Sequence, residues 1–220
     1  MASMSTGITL ADLLERFGPI PAARIRYDPP PGTATEQDVI ALEARENRLF
    51  ELVDGVLVEK ALGFYASFLA IRLAQLLLAF VERYALGIVA GAAGMLRLAP
   101  GLVRIPDVSF VSWDRLPQRR VPRQPIPDLV PDLAVEVLSD SNTPREMEQK
   151  LREYFTAGVR LVWYVDPVLQ EVHVYTAPDR REVLAADHTL HGGEVLPGFT
   201  LPVCRLFAEP TERPEHHQVL

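Results

Sequence analysis

The sequence predicts a mixed α/β fold, built as one full-sized domain with decorated ends. Strand-like runs, some alternating and some continuously rich in Val and Leu, recur along the chain. Helical segments are interleaved among them without the strict alternation of a doubly wound sheet. A content of 48% hydrophobic and 23% charged residues over 220 positions is enough for a sizeable core.

Residues 8–17 read as a short helix, with Thr9 as N-cap and Asp12 three positions on. The stretch "YDPPPGTA" is a proline-rich linker, so residues 1–32 are expected to form a loosely attached arm, with a boundary near residue 34. Thr35 then caps a helix over "TEQDVIALEAR". Two alternating runs joined by Asp54-Gly55, "RLFELVDGVLVEK", give the strongest short hairpin signal. Residues 64–83 are the longest apolar segment. Arg72 and Gln75 interrupt it, and Phe68, Leu69, Leu73, Leu76, Leu77 and Phe80 fit one broad helical face, so it reads as a core helix and not as a membrane span.

Strands are expected at 86–91, 94–98 and 104–112, and a Pro- and Arg-rich loop follows. Next come a strand at 131–138, a helix at 144–157, the pair "VRLVWYVDP" and "EVHVYTA", and a weaker strand near 182–186. The main domain is expected over 35–203, with a polar tail at 204–220.

A net charge of −7 argues against wrapping nucleic acid over a broad surface, yet it leaves room for a local site in which a metal offsets carboxylates. With Cys204 as the sole cysteine, no internal disulfide and no cysteine-based metal site can form. The start lacks a basic segment followed by an apolar run, so the expected location is the cytoplasm, with no membrane partner. Of the 22 basic Lys and Arg residues, only Lys60 and Lys150 are lysines. Genome composition explains such a bias, and under it a surviving lysine is more apt to do something arginine cannot.

Four charged residues stand in apolar surroundings: Glu51, Asp107, Glu136 and Lys150. An ionised carboxylate at Glu136, flanked by Val135 and Val137, needs a partner, a proton or a cation. Asp107 repeats the situation in "RIPDVSFVS". Two strand carboxylates can converge on one Mg²⁺, which takes oxygen ligands. Each acid alone also reads as an ordinary salt-bridged or edge-strand residue. Lys150 follows a capping box of Thr143 and Glu146 with Pro144 at the first helical position. It falls at the edge of the stripe Met147, Leu151, Tyr154 and Phe155, so its stem either runs back toward the sheet or snorkels to solvent. Arg115, Arg119, Arg120, Arg123 and Arg145 read as phosphate contacts or as a solvated basic surface.

"RLFELVDGVLVEK", "RIPDVSFV" and "PDLAVEVLSDSNTPREMEQKLREYFTAGVRLVWYVDP" together resemble the Uma-type endonucleases, a branch of the PD-(D/E)XK phosphodiesterase superfamily, over residues 35–200. The resemblance implies a restriction-endonuclease-like core with flanking helices and an N-terminal helical arm. It implies that Asp107 and Glu136 jointly hold Mg²⁺, with Mn²⁺ as a substitute and the Val137 carbonyl as a further ligand. The superfamily lysine two positions after the acid is absent, since Leu138 stands there. Lys150 on the following helix matches the displaced lysine of this branch. Glu51 matches a nearby acid, as second metal ligand or as positioning group. The implied activity is Mg²⁺-dependent hydrolysis of DNA phosphodiester bonds, and a homodimer suits cleavage of two strands. The rivals are a non-catalytic nucleic-acid or protein-binding module on the same fold and a metabolic α/β enzyme.

Overall fold

Asp54 and Gly55 adopt φ values of 46° and 75°, the left-handed geometry that a two-residue hairpin turn requires. They join β2 (Phe50–Val53) to β3 (Val56–Glu59) in antiparallel register. The computed structural model describes residues 8–61 and 63–209. This hairpin is the centre of a first sheet, ordered β1-β3-β2-β6-β5 and completed by β1 (Ile25–Arg26), β5 (Leu96–Ala99) and β6 (Leu102–Arg104).

The second sheet has the order β11-β10-β9-β8-β7-β4. Its members are β4 (Gly87–Gly91), β7 (Val108–Ser112), β8 (Leu133–Val137), β9 (Leu161–Asp166), β10 (Glu171–Ala177) and β11 (Arg180–Leu184). All its pairings are antiparallel except β8 with β9, which are parallel and connected through α4 (Pro144–Ala157). A small pair, β12 (Thr189–His191) with β13 (Thr200–Pro202), precedes α5 (Val203–Phe207).

Helices cover both faces of the second sheet. On one side α5 lies beside α3 (Phe64–Arg83), whose Leu69, Ala70, Leu73, Leu77 and Val81 are buried with Leu133, Val135, Val137 and Trp163. Among the described residues it is the one helix long and apolar enough to cross a membrane. Its apolar stripe is already covered by the sheet. On the other side α4 lays Met147, Leu151 and Tyr154 over Ala134, Val162 and Tyr164. Thr143 and Glu146 form the capping box that starts α4, and Gly158, at φ 99°, ends it.

The structure departs from the sequence expectation in several places. The single strand expected over 104–112 is split between the two sheets. Pro106 has no N–H to give to a ladder, and Ile105-Pro106-Asp107 carries the chain from one sheet to the other. The N-terminal segment is not loosely attached. Its capped helix α1 (Leu10–Phe17) buries Leu13 and Phe17, and β1 pairs with β3. The Arg24 guanidinium forks onto the buried Glu146 at 2.7 and 3.0 Å. At the other end, Val203, Leu206 and Phe207 are buried in α5, and residues 210–220 of the expected tail lie outside the described residues.

Glu146 thus serves both the cap of α4 and the attachment of the N-terminal segment. Arg24→Ala would leave its carboxylate buried without a counter-charge, and the expected loss is about 3 kcal/mol of unfolding free energy, read by urea denaturation. An unchanged midpoint would show that the ion pair does not hold this segment.

Candidate active site

The two sheets meet at the β6–β7 crossing, and charged side chains from both sheets and from α4 converge there. On β2, Phe50 and Leu52 face one core cluster, so alternation turns Glu51 the other way, toward α4. On β8, Leu133, Val135 and Val137 face α3, which likewise turns Glu136 toward α4. Glu51 and Glu136 are 1% and 5% exposed. Between them sits Lys150, 4% exposed, with Nζ 3.0 Å from Glu51 Oε1 and 2.9 Å from Glu136 Oε1. The stem of Lys150 therefore runs back to the sheets and does not snorkel outward.

Asp107 reaches the same place from the crossing segment. The register of β7 with β8 pairs Val108 with Val135, and one further step sets Asp107 opposite Glu136. Its N–H donates to the Val135 carbonyl at 2.9 Å, and its Oδ2 accepts from the Val137 N–H at 2.7 Å. The four residues singled out by sequence are thus brought together, and Val137 joins them through its backbone.

Three further groups complete the cluster, none of them singled out as site residues in the sequence. Lys60, which follows β3, places Nζ 2.8 Å from Asp107 Oδ1 and donates to the Ile105 carbonyl. Arg104, at the end of β6, donates to Glu51 Oε2 at 2.7 Å and to Glu153 of α4. The Tyr154 hydroxyl donates to Glu136 Oε1. The scarcity of lysine was the signal that could have found Lys60, because the only two lysines in the chain both lie here.

The two buried glutamates are tuned in opposite directions. For Glu51 burial disfavours the charge, but Lys150, Arg104, Lys60 and the Ile105 N–H outweigh it and hold the carboxyl well below its ordinary range. For Glu136 burial prevails, helped by the neighbouring Asp107 and Glu51 charges, and its carboxyl is raised although Lys150 and Lys60 oppose this. Lys150 is held above the ordinary lysine range despite its burial, because Glu136 and Glu51 face it. It therefore keeps its proton at neutral pH and acts as a fixed cation.

The donor set distinguishes two kinds of acid. Both oxygens of Glu51 are taken, Oε1 by the Ile105 N–H and Lys150 and Oε2 by Arg104. Glu51 is thus held by three donors, and Asp107 likewise has both oxygens engaged, Oδ1 by Lys60 and Oδ2 by the Val137 N–H. Glu136 Oε2 meets no protein donor among the described residues, and Asp107 stands beside it. Two hard carboxylates side by side, Glu136 on β8 and Asp107 just before β7, suit a Mg²⁺-type ion, which commonly takes one or two protein carboxylates and completes its shell with water and phosphate. Among the described residues, no group of three or more His, Cys, Asp or Glu side chains comes together as a metal cage.

The arginines divide as well. Arg115 is pinned by Asp132 at 2.9 Å and by the Gly158 carbonyl at 2.7 Å, so it braces the loop. Arg119, Arg120, Arg123 and Arg145 are exposed. A cavity of about 930 Å³ opens beyond Leu138, with Met147, Leu151, Tyr164 and Tyr175 in its wall. None of Glu51, Lys60, Asp107, Glu136 or Lys150 lines it.

A family match and the fold place the chain in a nuclease class with a restriction-endonuclease-like core. The sequence model of the Uma2 family, described as "Putative restriction endonuclease", matches residues 36–204, and the chain belongs to that family. The fold is similar to a crystal structure from Anabaena variabilis described as "a putative nuclease belonging to DUF820". That likeness has a TM-score of 0.64 at 20% identity and covers 72% of this chain and 89% of the other. A comparison with curated proteins returned no match.

The opposite tuning of the glutamates has opposite consequences for stability. Glu51, with a lowered folded pKa, contributes stability that is present above its ordinary 4.5 and is lost as pH falls through the depressed value. Glu136, with a raised one, contributes stability present below 4.5 that is lost as pH rises through the folded value. At pH 7 Glu51→Gln is expected to cost about 3 kcal/mol, since it strips counter-charge from buried Arg104 and Lys150. Glu136→Gln should instead raise the urea midpoint of the ion-free protein at pH 7, with the gain fading toward pH 4. A lowered midpoint for Glu136→Gln would refute this account of the acid.

Proposed function

We propose that the protein is a Mg²⁺-dependent endonuclease that hydrolyses DNA phosphodiester bonds at the junction of its two sheets. One observation carries the reading: a permanently charged ammonium, Lys150, is fixed within 3.0 Å of both Glu51 and Glu136, with Asp107 opposite Glu136 at the entry to β7. Asp107 and Glu136 would hold the ion, with the Val137 carbonyl as a further ligand and Mn²⁺ as a substitute. When bound, the ion supplies Lewis-acid polarisation of the phosphate and a more acidic water.

The chain's own residues do the rest. Lys150 donates hydrogen bonds from Nζ, which orients an attacking water and favours the negative charge that builds on the phosphorus oxygens. Its proton stays in place throughout, so it is an electrostatic group and not a base. Glu51 and Arg104 hold that ammonium at its position, and Tyr154 fixes one oxygen of Glu136. Exposed Arg119, Arg120 and Arg123 on the loop, and Arg145 at the start of α4, would meet neighbouring phosphates. The proposed setting is the cytoplasm, and a homodimer would bring two such junctions to a duplex.

A non-catalytic binding module on the same fold is favoured by one feature. Asp107, Glu51 and Glu136 already have cationic partners, as a purely structural ion network would. The two readings separate in a plasmid-nicking assay with Mg²⁺ or Mn²⁺. The expected result is ion-dependent nicking that Asp107→Ala, Glu136→Ala and Lys150→Ala each reduce by about 100-fold or more, with circular dichroism unchanged. Identical digestion by wild type and all three variants would end the catalytic reading.

A further inference from the structure

Lys60 is the buried cation that the mechanism above leaves without a role. It is 7% exposed, and its Nζ touches Asp107 Oδ1 at 2.8 Å and the Ile105 carbonyl. The other Asp107 oxygen is held by the Val137 N–H, a neutral backbone donor fixed by the second sheet. An ion shared by Asp107 and Glu136 must take an Asp107 oxygen. The partner it can displace is the flexible, like-charged ammonium at Oδ1, not the sheet-bound amide at Oδ2. Glu136 Oε2 needs no such displacement, having no protein donor among the described residues. We propose that Lys60 occupies the ion's place on Asp107 in the ion-free protein, and that divalent-ion binding drives its ammonium off that carboxylate.

The choice of lysine fits this role. A lysine ammonium is a point charge on a four-carbon stem that can swing away. An arginine would grip both carboxylate oxygens in a planar fork and resist displacement. Almost every other basic position in the chain carries arginine. In the ion-free protein Lys60 also offsets the repulsion between Asp107 and Glu136, which keeps the acids together before the ion arrives.

The inference rests on the nuclease reading, and Mn²⁺ binding measured by isothermal titration without DNA tests it separately from activity. Lys60→Met removes the competitor and is expected to bind Mn²⁺ more tightly than wild type, on the order of tenfold or more. Lys60→Arg keeps a stronger competitor and is expected to bind it several-fold more weakly. A lysine that merely braced the site would give the opposite sign for Lys60→Met, because its loss would loosen the ligands. Mn²⁺ affinity of Lys60→Met equal to or weaker than wild type overturns the proposal. If Lys60→Met does not fold, Lys60→Arg decides alone, and unchanged or tighter binding by it overturns the proposal. Wild-type protein that nicks plasmid while Lys60→Met gains no affinity would sink only the role of Lys60. Wild-type protein that neither binds Mn²⁺ nor nicks would remove the nuclease reading and this one together.

Discussion

The architecture depends on one buried contact, the Lys150 ammonium held between a carboxylate from each sheet. Glu51 comes from the first sheet and Glu136 from the second, and α4 delivers the cation from above. A buried charge of either sign is tolerable only when it is paired and hydrogen-bonded. The three elements therefore hold one another in register: displacing any of them strands a charge in the interior. The capping box that starts α4 sets where Lys150 falls, and the Arg24–Glu146 fork ties that same first turn to the N-terminal segment. A chain of local choices at residues 143–146 thus fixes the position of a side chain one and a half turns later.

The two glutamates are held in opposite ways. Glu51 is fully engaged, and its environment favours its charge, which marks it as part of the framework. Glu136 has its partners on one oxygen, among the described residues, and an environment that opposes its charge. An acid kept in such a place works against the stability of the ion-free fold, and functional sites are where such costs are tolerated. Two chemically identical side chains a few ångströms from one lysine thus acquire different roles from their neighbours alone.

Much of this was legible in the sequence because the signals were local. Asp54-Gly55 fixed the hairpin, Thr143-Pro144 with Glu146 fixed the start of α4, and the apolar spacing of residues 64–83 fixed the core helix. The convergence of Asp107, Glu136 and Lys150 came from an ordered family resemblance; no spacing rule yields it. What stayed hidden was relational. Residues 104–112 read as one strand, and only tertiary structure decides that Pro106 marks a change of sheet. Arg24 looked like part of a loosely attached arm, since its partner lies 122 positions away. Lys60 was visible as a rarity but not as a site residue, because nothing in "VLVEK" says that Asp107 lies across from it.

An acidic protein that is to act on a polyanion must solve its electrostatics locally, and the junction does so by near-cancellation. Glu51, Asp107, Glu136 and Glu153 face Lys60, Arg104 and Lys150, which leaves one surplus negative charge. On the proposed function, one divalent ion would turn that surplus into a single positive charge, matched to one phosphodiester. Two ions would leave a large buried positive excess that the low-dielectric interior penalises. On the same count the site needs no broad basic surface, and a net charge of −7 is compatible with a local cationic site. Attraction to DNA would then be short in range and gained mainly once the ion is in place, so ion binding and substrate binding become one coupled event.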